Sequence, residues 1–245
     1  MKKKVLVAWG ILILTVILTV PVLARAGGGG SSGGSSGGSS GGSRVSHHTD
    51  SSGSARSNPL GSFFQLVILV TVASGGSIVF IRKARMANRR SRRAMEAFSQ
   101  IGENWNADEI QHQVEESYFQ IQECWRRMDI SYGAPYLSEE LQKDFDSKIQ
   151  WMQIRNEEVV QENVKLLSAM PIAVIDEEGE EKDTIWYLIH GKMTGYYIDK
   201  STRLIVRGKK RPEAFYEYWK FVYRNKRWVL SEIKQKDEID IDSFG

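Results

Sequence analysis

An α+β domain behind a membrane segment is the architecture this sequence predicts, with two or three helices packed on one face of a curved antiparallel sheet. Three observations lead there. Apolar residues recur at helical spacing from Ile110 to Met128 and from Leu141 to Met152. From Val159 onward, runs rich in Val, Ile and aromatic residues alternate with turn signals, and no further helical stretch intervenes. Ahead of both lies an uncharged run, Phe63 to Ile81, that stops in a cluster of cations. Helices first and a strand meander after them give α+β, not the alternating order of an α/β fold.

Charge is divided along the chain. The net charge of +3 over 245 residues conceals 13 Lys/Arg against the single Asp50 in residues 1–95, and 20 Lys/Arg against 29 Asp/Glu in residues 96–245, a net of −9. An acidic domain is a poor nucleic-acid binder, because duplex binding rests on neutralising phosphates, so no nucleic-acid partner is expected. The single cysteine, Cys124, excludes an intrachain disulfide and a Cys-based zinc site, which agrees with a reducing cytoplasm. It reads as a small apolar residue at a helix–core boundary.

The elements follow in order. Residues 1–26 read as a secretory signal: Lys2-Lys3-Lys4, an apolar stretch from Val5 to Val20, Pro21, and a small-x-small site at Ala24-Arg25-Ala26. The competing reading is an uncleaved anchor, since Val5 to Leu23 meets the roughly 20 residues a span needs. Residues 27–62, opening with pure Gly and Ser, form a disordered extracytoplasmic linker in which His47-His48 is too sparse for a metal site. Residues 63–81 form the transmembrane helix, with small residues from Ala73 to Ser77 that permit close helix approach. Arg82, Lys83, Arg85, Arg89, Arg90, Arg92 and Arg93 then mark the cytoplasmic side. They belong to a basic juxtamembrane helix over 82–104, loosely amphipathic through Met95, Phe98 and Ile101. The protein is therefore expected in the cell (inner) membrane, single-pass after cleavage or two-pass without it, its C-terminal domain cytoplasmic in either case.

That domain covers residues 105–238. Asn106 and Glu109 form a capping pair. Ile110, Val114, Tyr118, Ile121, Trp125 and Met128 make one helix face, and Gly133 and Pro135 punctuate its end. Ser138 with Glu139 and Glu140 starts a second helix, whose face is Leu141, Phe145, Ile149 and Met152. A strand from Val159 to Ile175 bends at Pro171, an acidic turn runs from Asp176 to Asp183, and a long strand follows from Thr184 to Ile198. Gly191 and Gly195 suggest bulges in it. After a turn at Asp199–Thr202, Phe215, Trp219, Phe221 and Tyr223 share a strand face, Asn225-Lys226 makes a hairpin, and Trp228 and Leu230 alternate on the last strand. The charged stretch from Lys234 is expected to fray, with residues 239–245 a tail.

Chemistry-bearing residues are few. His190, Asp183, Glu217 and Glu232 lie on or beside strands, and a His–carboxylate pair does acid–base work only if the two are buried together. No phosphate loop, nucleophile elbow or metal-ligand spacing is present, so no catalytic, cofactor-binding or metal-binding residue is assigned. Both faces of the strands carry aromatics, among them Trp186, Tyr187, Tyr196, Tyr197, Tyr216, Tyr218 and Trp219. They suggest a hydrophobic pocket or groove for a lipid tail or partner peptide, its candidate residues Tyr118, Trp125, Tyr187, Ile189, Trp219 and Phe221. Arg203, Arg207, Lys209, Lys210 and Arg211 stand out in an acidic domain, either as a solvated loop or as a contact for anionic lipid headgroups.

The two leading helices, the Glu162-Asn163-Val164 entry into the first strand, and the closing Phe215–Trp219–Phe221 and Trp228–Val229–Leu230–Ile233 strands together resemble the TIM-forty-four-like domain family. The Gly/Ser-rich segment before a single span looks like its bacterial membrane members. The resemblance implies a cone-like fold of the nuclear-transport-factor-two type with a pocket between sheet and helices, membrane association, and a protein- or lipid-binding role without catalytic residues. The chaperone-binding region of the mitochondrial import member has no counterpart here, so its transport function is not implied. A membrane-anchored, non-catalytic module that docks membrane lipids or a protein partner is the expectation; the alternative is an enzyme or small-ligand carrier using the pocket.

Overall fold

The computed structural model describes residues 59–244, with side chains from residue 77 onward apart from Glu103 and Glu180. The signal, nearly all of the linker with His47-His48, and the side chains from Ala73 to Gly76 lie outside the described residues. The described residues fall into two compact units, one up to Lys83 and the other from Ala84 onward.

Helix α1 runs from Pro59 to Phe98, 40 residues that include the backbone of the expected span and all seven basic residues, and it stops short of the expected 104. Among the residues with described side chains no helix is long and apolar enough to cross a membrane; the expected span falls almost wholly before them. Within the second unit Ala84, Ala87, Ser91 and Met95 are buried at helical spacing, while Arg85, Arg89, Arg90, Arg92 and Arg93 are exposed.

Helix α2 is Ala107–Arg127. The Asn106 side chain accepts from the backbone amides of Asp108 and Glu109 at 3.1 and 3.2 Å, satisfying two of the donors that a helix start leaves open. The helix stops at Met128, whose φ of 53° puts it in the left-handed region, with the Asp129 amide returning to the Cys124 carbonyl. The expected stripe is the buried one: Ile110, Val114, Tyr118, Ile121 and Trp125 are each at most 1% exposed. Helix α3, Glu139–Ile154, is capped by Ser138 and buries Phe145, Ile149 and Met152.

The strands are β1 Glu157–Ile175, β2 Thr184–Asp199, β3 Ile205–Arg224 and β4 Arg227–Gln235, an antiparallel meander in the order β1-β2-β3-β4. Asn225 and Lys226, with φ of 50° and 61°, make the tight β3–β4 turn. Register shifts interrupt β1 against β2 in three places, one of them beside Pro171, and another interrupts β2 against β3 at Met193/Gly195. Such shifts bend a sheet. Gly191 has a different reason to be glycine: a Cβ there would lie 2.4 Å from Phe215 Cζ and 2.6 Å from Tyr118 Oη.

One core lies between the helices and the sheet, and burying each large apolar side chain there contributes about 1.5–3 kcal/mol. Trp105 closes one end, its ring 5.0 Å from Phe98 and 5.2 Å from Trp228. Trp228 Nε1 donates to the Asn104 carbonyl at 3.1 Å.

Two expectations need correction. The basic group from Arg207 to Arg211 lies in β3 and is not a loop, because β2 pairs with it as far as Ile205. The residues after Lys234 do not fray. β4 continues to Gln235, and Ile241–Phe244 forms a helical turn in which Ile241 is 6% exposed and the Phe244 ring lies 5.1 Å from Trp186 and 5.2 Å from Tyr218. The sheet face away from the helices is too aromatic to be left to water, and this segment covers part of it.

Candidate functional site

The six candidate pocket residues come together in the buried core. Tyr118, Trp125, Tyr187, Ile189, Trp219 and Phe221 are each at most 1% exposed. Tyr118 and Trp219 lie 5.7 Å apart between ring centres, and Tyr187 meets Phe221 edge-on at 5.9 Å. These side chains belong to the core cluster between helices and sheet. Burial pushes the Tyr187 hydroxyl's pKa well above its ordinary range.

The His–carboxylate pair is not assembled. Ile189 is the register partner of Glu217, and His190 that of Tyr216. Successive strand residues face opposite ways, so His190 and Glu217 lie on opposite sides of the sheet. His190 stacks on Tyr216 at 4.1 Å and 10°, and burial lowers its pKa. Glu217 sits fully buried, accepting from Trp219 Nε1 at 3.0 Å and Gln235 Nε2 at 3.1 Å. Asp183 is a clamp: it accepts from Asn104 Nδ2 at 2.6 Å and the Glu177 amide at 3.1 Å, and burial raises its pKa. Glu232 pairs with Lys234 at 3.1 Å. Cys124 is fully buried and its thiol is pushed up to about 11 by desolvation, which leaves it unreactive. Among the described residues no group of acidic, His or Cys side chains is arranged to hold a metal ion.

The β2–β3 tip sets exposed apolar residues beside cations. Asp199 builds the turn, accepting from the amides of Ser201 and Thr202 at 2.9 and 2.7 Å and from Thr202 Oγ1 at 3.0 Å. Those bonds hold its carboxyl below the usual carboxylate range. Arg203 takes a φ of 58°, and the turn is tied to the start of β1 through Lys200 N to Asn156 O at 2.8 Å and Asn156 Nδ2 to Ser201 Oγ at 2.7 Å. This hydrogen-bonded turn presents three consecutive apolar residues, Leu204, Ile205 and Val206, at 67%, 43% and 46% exposure.

The basic group flanks them. Arg203 pairs with Glu158 at 2.7 Å, Arg207 with Glu157 at 2.5 Å, and Arg211 with Glu213 at 2.8 Å. The Arg207 guanidinium also lies 3.9 Å over the Tyr197 ring, and Lys210 lies 5.5 Å from Tyr196. Lys200 and Lys209 are exposed. Gly208, at φ 86°, allows the bulge here, since a Cβ would meet Gly195 O at 2.7 Å. β4 pairs with Glu217–Arg224, so among the described residues the first half of β3 has no strand on its outer side. The sequence showed the cations but not the apolar triplet's exposure, because Leu-Ile-Val reads as buried strand.

The seven basic residues of α1 share one helix, six of them exposed and Lys83 half-buried.

The family model for the Tim44-like domain matches residues 91–235, beginning inside α1, ahead of the expected 105, and ending with β4. No curated protein matches. Among solved structures, the intermembrane space region of the chloroplast protein ARC6 is similar at 8% identity and a TM-score of 0.37, over 51% of this chain and 95% of that one. A SEC-C motif containing protein from Rhodopseudomonas palustris is similar at 16% identity and a TM-score of 0.23, over 46% of this chain and 70% of the other. With two helices laid on a bent four-stranded meander, and with the family match covering more than half its length, this chain belongs to the Tim44-like domain family.

Proposed function

We propose that this protein is a membrane-anchored, non-catalytic binding module whose domain docks membrane lipid or a protein partner at the inner leaflet. The division into signal 1–26, linker 27–62, span 63–81, basic helix 82–104, domain 105–238 and tail 239–245 supports that reading, with Arg82 to Arg93 holding the domain on the cytoplasmic side. The helical backbone through 63–81 is the conformation a span requires. The curved meander with its helices on one face fits the nuclear-transport-factor-two-like cone of the family resemblance.

The observation that carries the lipid half is the exposed Leu204–Ile205–Val206 triplet beside Lys200, Arg203, Arg207, Lys209, Lys210 and Arg211. Aliphatic side chains enter the acyl boundary while cations meet headgroups, each contributing about 1 kcal/mol near an anionic leaflet. Arg203, Arg207 and Arg211 already face carboxylates, so the lysines contribute most of the attraction.

The test is a fluorescent label. Leu204→Cys, with Cys124 buried and unreactive, takes a nitrobenzoxadiazole probe in the full chain reconstituted into vesicles. Blue-shifted emission in phosphatidylglycerol vesicles, weaker in phosphatidylcholine and weaker again in a Lys209→Glu/Lys210→Glu variant, is expected. Emission typical of water in every vesicle would refute the contact.

A further inference from the structure

A second surface, unrelated to the tip, lies between α2 and β1. Phe119, Gln122, Glu123 and Arg126 recur on one side of α2, and with Gln161 and Val164 of β1 they line an open groove of about 250 Å³. Its composition is mixed in a specific way. Phe119 is 47% exposed and Val164 half-buried, giving an apolar wall on each side. The floor is polar. Gln161 Nε2 donates to Gln122 Oε1 at 3.1 Å. Gln122 is only 2% exposed, and its Nε2, the other half of the amide, has no hydrogen-bond partner among the described residues. A buried donor left unpaired is costly, so an occupant that carries an acceptor is favoured here.

The rim adds a charge. Glu123 is held by both Arg126 and Arg127, at 2.6 Å from Arg126 Nη2, and the two guanidinium groups depress its pKa to about 2. One carboxylate between two guanidinium groups leaves a positive excess. β1 is the terminal strand of the sheet, and from Glu162 to Ser168 its pairing is broken by two register shifts, so this stretch departs from a regular ladder.

We propose that this groove binds an extended segment of a partner protein. A backbone carbonyl of the segment accepts from Gln122 Nε2. An apolar side chain lies against Phe119 and Val164, and a neighbouring acidic side chain meets Arg126 and Arg127. An acyl chain fits the walls but leaves the amide unpaired, which is why a peptide and not a lipid tail is the occupant. The inference deepens the protein-binding half of the proposed function and rests on it; the lipid contact at Leu204 is a separate surface.

The test uses the full chain in phosphatidylcholine nanodiscs and a displayed library of random heptapeptides. Enriched sequences carrying an aliphatic or aromatic residue next to Asp or Glu are expected. A synthetic heptapeptide of that consensus then binds at least tenfold more weakly to Phe119→Arg, an exposed substitution that spares folding, and to Gln122→Met, which removes the donor at similar volume. Its binding also shifts the Gln122 side-chain amide resonance. No consensus, equal binding to both variants, or displacement of the peptide by phosphatidylglycerol in wild type but not in Arg126→Glu each overturns the proposal. The label at Leu204 reads out independently, so failure here leaves the lipid contact standing and failure there leaves the groove standing.

Discussion

His190 shows how a residue that looks chemical becomes structural. Its ring lies flat on Tyr216, half-buried, and desolvation holds its pKa below the ordinary 6.5. A histidine whose folded pKa is depressed binds protons more readily when unfolded, so its contribution is complete above 6.5 and lost as pH falls through the folded value. Urea melts of wild type should show stability declining on acidification below about pH 6.5, with the decline reduced in His190→Gln; parallel curves would remove His190 as its source. Gly191 is a steric matter. Gly191→Ala should destabilise by roughly 1–3 kcal/mol through the clash with Phe215 and Tyr118, read from the same melts. Sequence was informative for residues whose job is local: the Asn106 and Ser138 caps and the buried stripe of α2 follow from type and spacing. It was silent where the partner is distant. Nothing near Gln122 in sequence announces Gln161, 39 residues on, and the left-handed Met128 has no glycine to mark it.

Elements were legible in proportion to their periodicity. Both domain helices and the β3–β4 hairpin stand where pattern and turn chemistry put them. The first half of β3 was not, because Arg, Lys and Pro are poor strand formers, and pairing with β2 overrides that preference. The stretch from Asp237 was missed for a related reason: its four acidic residues advertise solvent, while Ile241 is buried and Phe244 packs on Trp186 and Tyr218. Deleting residues 237–245 should cost about 2–4 kcal/mol in lost burial and raise binding of an apolar dye, as the Trp186 and Tyr218 face opens. Unchanged stability and dye binding would mean that the segment contributes nothing there. In the hairpin, Lys226 holds a φ of 61° that glycine adopts without strain, so Lys226→Gly should be neutral or stabilising by about 0.5 kcal/mol, measured as a shift in Tm.

At the scale of the molecule, the uneven distribution of charge is the strongest statement the chain makes, and it was visible from residue counts alone: a basic helix leads into a domain with a net charge of −9 over residues 96–245. The orientation proposed from it predicts that protease outside intact cells trims only residues 27–62 and leaves the domain whole until the membrane is opened; early loss of the domain would reverse the topology. The family, too, was legible, because its signature is the order and apolar pattern of whole elements, and those survive where individual residues drift. Which aromatic rings are buried was not, since an aromatic-rich strand reads the same whichever face the helices cover.

The meander has a kinetic side. Each strand pairs with its neighbour in sequence, so the sheet zips through short hairpins with little chain entropy to overcome at each closure. The bond from Trp228 to Asn104 is different: it joins groups 124 residues apart and draws the last strand against the start of the helical layer. Hairpins that form early leave the Trp228 indole in water until that long loop closes. A stopped-flow refolding trace should therefore show its fluorescence changing after the sheet signal in circular dichroism, with the lag absent from Trp228→Phe.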